Sequence, residues 1–150
     1  MSDQYPHPDP QDHTRPHGQH DYRPEQQYGT SMQSMTPEQE RTWGAIGHGA
    51  ALAAMVLSAG FLGFLGSLAV YIVHKDRGPF VRAHAANALN IQITMAIWLV
   101  ISIPLILAFG LGLLTFFLAP FVAGALHLVG LLKAYNGEWW NPPLTPRFIR

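Results

Sequence analysis

The chain has 150 residues, a formal net charge of zero and no cysteine. It therefore has room for one domain with a tail, and disulfides, thiolate nucleophiles and Cys-based zinc or iron–sulfur centres are excluded. The zero charge joins two unlike parts: residues 1–42 carry seven acids against three arginines, and residues 43–150 carry six bases against two acids.

Residues 1–35 are built from Gln, Pro, His, Asp, Tyr and Gly with almost no aliphatic side chains. Such a segment buries too little apolar surface to offset an ordering entropy of about 1–2 kcal/mol per residue, and it reads as a disordered tail. It has no apolar core of the kind a secretory signal needs, so membrane targeting falls to the internal segments. His7, His13, His17 and His20 allow a metal-binding tract or simply a solvated, low-complexity tail. Tyr5, Tyr22 and Tyr28 near prolines are a weak docking signal.

Order is expected from Thr36 onward. Thr36 suits an N-cap, Pro37 the first helical position, and Gln39 the reciprocal place of a capping box, while Glu38 and Glu40 complement the helix dipole. No charged residue occurs from Thr42 to Val73. One helix over Gly44–Val73 would be about 45 Å long against a hydrocarbon core of about 30 Å. Gly60, Gly63 and Gly66 weaken its middle by about 1 kcal/mol each. The segment is therefore divided into helices over 37–57 and 61–74, either two short spans or a re-entrant hairpin. A second uncharged stretch, Ala83–Leu132, is long enough for two spans, with Gly110 and Gly112 marking the break. Helices over 80–109 and 111–135 are expected, with Pro104 and Pro120 as bend sites. Thirteen Leu, Phe or Val residues between Leu111 and Leu132 favour insertion by several kcal/mol, at roughly 0.3–0.6 each. The reading is an all-α membrane protein: a four-helix transmembrane bundle, its first two helices a short hairpin, with a disordered N-terminal tail over 1–35 and the helical membrane domain over 36–150.

Lys75, Arg77 and Arg82 precede the third helix, and Lys133, Arg147 and Arg150 follow the fourth. Two spans separate the clusters, so they share a side, which the positive-inside rule makes cytoplasmic. With a hairpin before them, both termini are cytoplasmic, in the inner membrane. Trp139 and Trp140 stand where interfacial anchors belong. On the third helix His84, Asn87, Asn90 and Thr94 fall within an arc of about 120°. Polar groups in lipid need partners, so this arc either lines a small vestibule open to the cytoplasm or fixes helix packing through hydrogen bonds. His48 and His127, each within an apolar helix, allow a proton relay or metal site, or two satisfied structural histidines. Small faces at Gly44, Gly47, Ala51 and Ala54, and at Ala119 and Ala123, suit close helix contact.

No Walker loop, dinucleotide fingerprint, nucleophile elbow or zinc-protease helix appears, so no enzyme, cofactor or metal centre is expected. The expected partners are the lipid bilayer and either further copies or other membrane proteins, with no nucleic acid and no identifiable small-molecule substrate. The pattern Lys75-Asp76 with Pro79-Phe80-Val81-Arg82, His84, Ala88-Leu89-Asn90 and Gln92, followed by Lys133-Ala134-Tyr135-Asn136-Gly137-Glu138-Trp139-Trp140 and Pro143-Leu144, resembles an uncharacterised family of small bacterial membrane proteins. That family is distantly similar to the Tic-twenty subunit of the chloroplast inner-envelope import machinery. The resemblance covers about residues 36–150 and implies four helices with both termini cytoplasmic. Asn87 and the alanine before it depart from the longer polar residue and Gln that many members carry. The resemblance carries no import function. A scaffold or subunit of a membrane assembly is the expected role, with a small channel or carrier as the alternative.

Overall fold

A computed structural model of the protein describes residues 34–150 apart from 59, 61 and 109. The tail's composition, its histidines and its tyrosines thus lie outside the described residues up to position 33. Among the described residues there are four α-helices and no strand: α1 (Pro37–Leu57), α2 (Gly63–His74), α3 (Pro79–Leu107) and α4 (Leu111–Tyr135). The four-helix reading holds. The second helix begins at Gly63 rather than 61, and the third spans Pro79–Leu107 rather than 80–109. Packing also starts one residue before Thr36, since Met35 is buried and its N–H donates to Arg77 O at 2.8 Å.

The start of α1 follows from local chemistry. The Thr36 hydroxyl accepts the Gln39 N–H at 3.3 Å and the Gln39 side chain accepts the Thr36 N–H at 3.0 Å, the reciprocal arrangement of a capping box. The helix ends at Ser58, whose hydroxyl donates to Ala54 O at 2.6 Å and accepts the Leu62 N–H at 2.7 Å. Gly60, at φ 104°, supplies the left-handed residue that the reversal needs. Helix α2 has 12 residues, about 18 Å of helix against a hydrocarbon core of about 30 Å. The pair is a hairpin whose second arm is too short for a full span.

Helices α1 and α3 each touch all three other helices, whereas α2 and α4 do not touch each other. The start of α1, the loop at 75–78 and the end of α4 gather at one end. There the Glu40 side chain bonds the first turn of α3 and His84 bonds the Glu138 carbonyl. The first hairpin reaches only midway along α3, where Gly63 lies against Gln92 and Met55 packs on Ile91 and Met95. Beyond that depth α3 and α4 continue as a pair joined by Ser102 and Thr115, hydroxyl to hydroxyl at 2.7 Å.

The apolar pattern is turned outward. Large apolar side chains such as Leu57, Val100, Leu107, Phe117 and Phe121 are exposed, while His48, His84, His127, Asn90 and Gln92 are buried. Helices α3 and α4 are long and apolar enough to cross a membrane, and their apolar windows are only 33% and 17% buried within the protein. A soluble core helix would be mostly covered. Here the uncovered surface is the apolar one, as a bilayer requires.

Candidate functional site

Helix α4 stops at a turn in which the Glu138 N–H donates to Lys133 O at 2.8 Å and Gly137 adopts φ 73°. The chain then runs without helix from Glu138 to Arg150 and straps back across α3. The polar arc holds this strap by its backbone. His84 Nε2–H donates to Glu138 O at 3.0 Å, and the Asn87 amide donates to Trp140 O. Asn90 donates to Ile149 O at 2.9 Å while its side-chain oxygen accepts the N–H groups of Phe148 and Ile149 at 3.1 and 2.9 Å. Thr94 turns to its own helix and donates to Asn90 O at 2.8 Å. Three of the four arc residues thus meet backbone groups of a non-helical segment, where sequence reasoning looked for partners on other helices or in a wet cavity. At the strap's end, Arg150 O accepts from Tyr71 OH at 3.1 Å and Arg82 Nε at 3.3 Å.

Behind the arc lies a second polar group. His48 of α1 and His127 of α4, 79 residues apart, approach Nδ1 to Nδ1 at 3.3 Å. Gln92 of α3 bonds His127 Nε2 at 2.9 Å. The His48 ring also stands edge-on to His84, centroids 5.7 Å apart, and to Trp140 at 5.9 Å. Gly130 makes room for it: a Cβ there would lie 2.4 Å from His48 Cε1. Gln92 is the member that sequence reasoning missed. Eight residues beyond His84, it points about 80° to the other side of the helix wheel, so the arc did not include it.

The basic loop and its neighbours occupy the end where the start of α1, the start of α3 and the end of α4 come together. Lys75, Asp76, Arg82 and Arg150 surround an open cavity, and Arg77 lends its carbonyl to Met35. Glu40 reaches from α1 to the start of α3, where its carboxylate accepts the Phe80 and Val81 N–H groups at 2.7 and 3.1 Å. Pro79 has no N–H, so two of the three orphan donors of that helix end are thereby satisfied by a negative charge at the positive end of its dipole. Lys133 pairs with the Glu138 carboxylate. That hydrogen bond, with a smaller one from Asn136, holds the Glu138 carboxyl below its ordinary range. Of the two expected anchors, Trp139 is exposed beside Phe80, whereas Trp140 turns inward onto the Met55–Ile91–Met95–Ala123 cluster.

Among the described residues no group of three or more His, Cys, Asp or Glu side chains is placed to hold a metal ion. A groove of about 300 Å³ between α3 and α4 is lined by apolar residues, with Thr94, Thr115 and Thr145 as its polar exceptions. No curated protein and no solved structure matches the chain, and the similarity to Tic-twenty finds no support. A family model does match, over residues 39–149, which include the whole strap-and-arc site except Arg150. The protein belongs to the magnetosome magnetite crystal formation protein family, a family of bacterial membrane proteins.

Proposed function

We propose that the protein is a multi-pass subunit of a membrane assembly that supports magnetite crystal formation, acting as a scaffold rather than as a pore or an enzyme. The observation that carries this reading is the fate of the polar arc. The groups best suited to line a vestibule, His84, Asn87 and Asn90, are engaged by the chain's own C-terminal strap. Among the described residues, what remains for partners is the apolar outer surface of α3 and α4 and the basic end. Positive-inside placement of Lys75, Arg77, Arg82 and Lys133 supports a cytoplasmic orientation of that end, in the inner membrane or the magnetosome membrane.

The test is genetic and chemical. Removing the gene from a magnetite-forming bacterium is expected to change the size or number of crystals, with recovery on complementation. Crosslinking in native membranes is expected to capture further copies or other membrane proteins. Unaltered crystals together with a monomer lacking any crosslinked neighbour would overturn the scaffold reading. Labelling of cysteines placed at positions 84, 87 and 90 by water-soluble thiol reagents, with the strap intact, would favour the channel alternative instead.

A further inference from the structure

The three fully buried imidazoles, His48, His84 and His127, can be assigned their protons from their partners alone. A carbonyl only accepts, so His84, bonded through Nε2 to Glu138 O, carries its proton on Nε2 and leaves Nδ1 as a bare lone pair. The Gln92 amide nitrogen only donates, so His127 accepts at Nε2 and carries its proton on Nδ1. The same Gln92 nitrogen also points toward Met55 Sδ at 3.9 Å, consistent with this amide orientation. His127 Nδ1–H faces His48 Nδ1 at 3.3 Å, so His48 accepts there and carries its own proton on Nε2. The circuit leaves one N–H and one lone pair over. These are His48 Nε2 and His84 Nδ1, the two buried ring nitrogens that find no partner among the described residues. Both rings are fully buried, their centroids are 5.7 Å apart, and their planes cross at 80°.

We propose that His48 Nε2–H and His84 Nδ1 are two walls of an internal site for one water molecule, and that this water allows His84 to take up a proton without losing a hydrogen bond. A water accepts from His48 and donates to His84, which closes a circuit from Gln92 through His127, His48 and the water back to α3 at His84. A buried donor or acceptor without a partner loses its hydration uncompensated, and one bridging water supplies a partner to both nitrogens at once. When His84 gains a proton at Nδ1, the water turns over and accepts from both rings with its two lone pairs. The Nε2–H bond to Glu138 O then becomes charge-assisted and stronger. His48 and His127 lack this option, because their lone pairs are already engaged by His127 and Gln92. The titratable groups facing the site are His48 from α1 and His127 from α4. Further toward the end of the bundle, α1 also places Glu40 on the Phe80 and Val81 N–H groups and Arg41 against Gly137. The strap presents the Glu138 carbonyl, its carboxylate being held by Lys133, and His74 of α2 is stacked on Trp43.

Nitrogen-15 NMR of histidine-labelled full-length protein in lipid nanodiscs tests this directly. At neutral pH the expected pattern is protonated Nε2 on His48 and His84 and protonated Nδ1 on His127, with magnetisation transfer from bound water to His48 and His84 but not to His127. On acidification His84 is expected to gain its second proton at higher pH than the other two. His48→Phe keeps the aromatic bulk and removes the donor, and is expected to abolish the water signal at His84. Overturning results are a bare Nε2 on His48, no water transfer to either ring, or His48 or His127 protonating before His84. A bare Nε2 on His48 would set two lone pairs side by side, an arrangement that calls for a cation. If His48→Phe does not fold, the wild-type spectra alone decide.

Discussion

Asn90 is the residue on which the strap depends most. One side chain serves three backbone groups, donating to Ile149 O and accepting from the N–H groups of Phe148 and Ile149. Truncation to Ala strands those groups, at about 1–3 kcal/mol for each one left buried and unpaired. Asn90→Ala is therefore expected to release residues 141–150 to added protease while leaving the helical circular dichroism nearly unchanged. Thr94→Ala, which loses only a bond to its own helix, serves as the control and is expected to leave the strap protected. Gly130 makes a second single-residue claim. A Cβ there meets His48 ring atoms at 2.4–2.7 Å, whereas at Gly124 the nearest atom is the mobile end of Met55 at 3.3 Å. Gly130→Ala is expected to lower stability by about 1–3 kcal/mol through overpacking. Gly124→Ala should cost distinctly less, read as thermal unfolding in the same detergent.

At the scale of elements, Glu40 ties α1 to the start of α3. Removing a carboxylate that caps a helix N-terminus costs about 0.5–2 kcal/mol. Gly78 belongs to the same device, because a Cβ there would fall 2.2 Å from the Glu40 carboxyl carbon and displace it. Glu40→Ala and Gly78→Ala are therefore expected each to destabilise, and the double variant to lose little more than the worse single one. Additive losses in a double-mutant cycle would show that the two residues act separately. Sequence reasoning found the elements because their signals are local. Thr36, Pro37 and Gln39 sit within four positions, and the glycines at the two hairpin tips lie between apolar runs. It could not find what those elements hold. Asn90 and Phe148 are 58 positions apart, and the strap offers only backbone groups, which every residue carries. His48 and His127 are readable from the sequence as a candidate pair, but nothing in their 79-residue separation shows that the fold brings them together. Trp140 is expected at the interface from its position after a helix end, and what the sequence does not show is that it packs, half-buried, against the Met55–Ile91–Met95–Ala123 cluster.

For the whole molecule, the unequal hairpins decide how the chain sits in a bilayer. Helices α3 and α4 have 29 and 25 residues, about 43 and 37 Å, and so exceed a hydrocarbon core of about 30 Å. Helix α2 does not reach that length, and the tip of its hairpin lies beside the middle of α3. The native chain has no cysteine, so single cysteines report without background. In sealed vesicles, cysteines at positions 76 and 147 are expected to react with a membrane-impermeant thiol reagent from one and the same side. A cysteine at position 110, on the α3–α4 turn, should react only from the other. One at position 60 should react from neither side until detergent is added, the outcome expected of a re-entrant first hairpin. Labelling of position 60 from the side that labels position 110 would make α1 and α2 full spans, and the bilayer would then have to thin around them. Past the hairpin tip, residues 102–107 and the start of α4 lean on each other through Ser102 and Thr115, and lipid or a neighbouring membrane protein must cover the rest. That uneven half of the bundle is where crosslinks between subunits should concentrate.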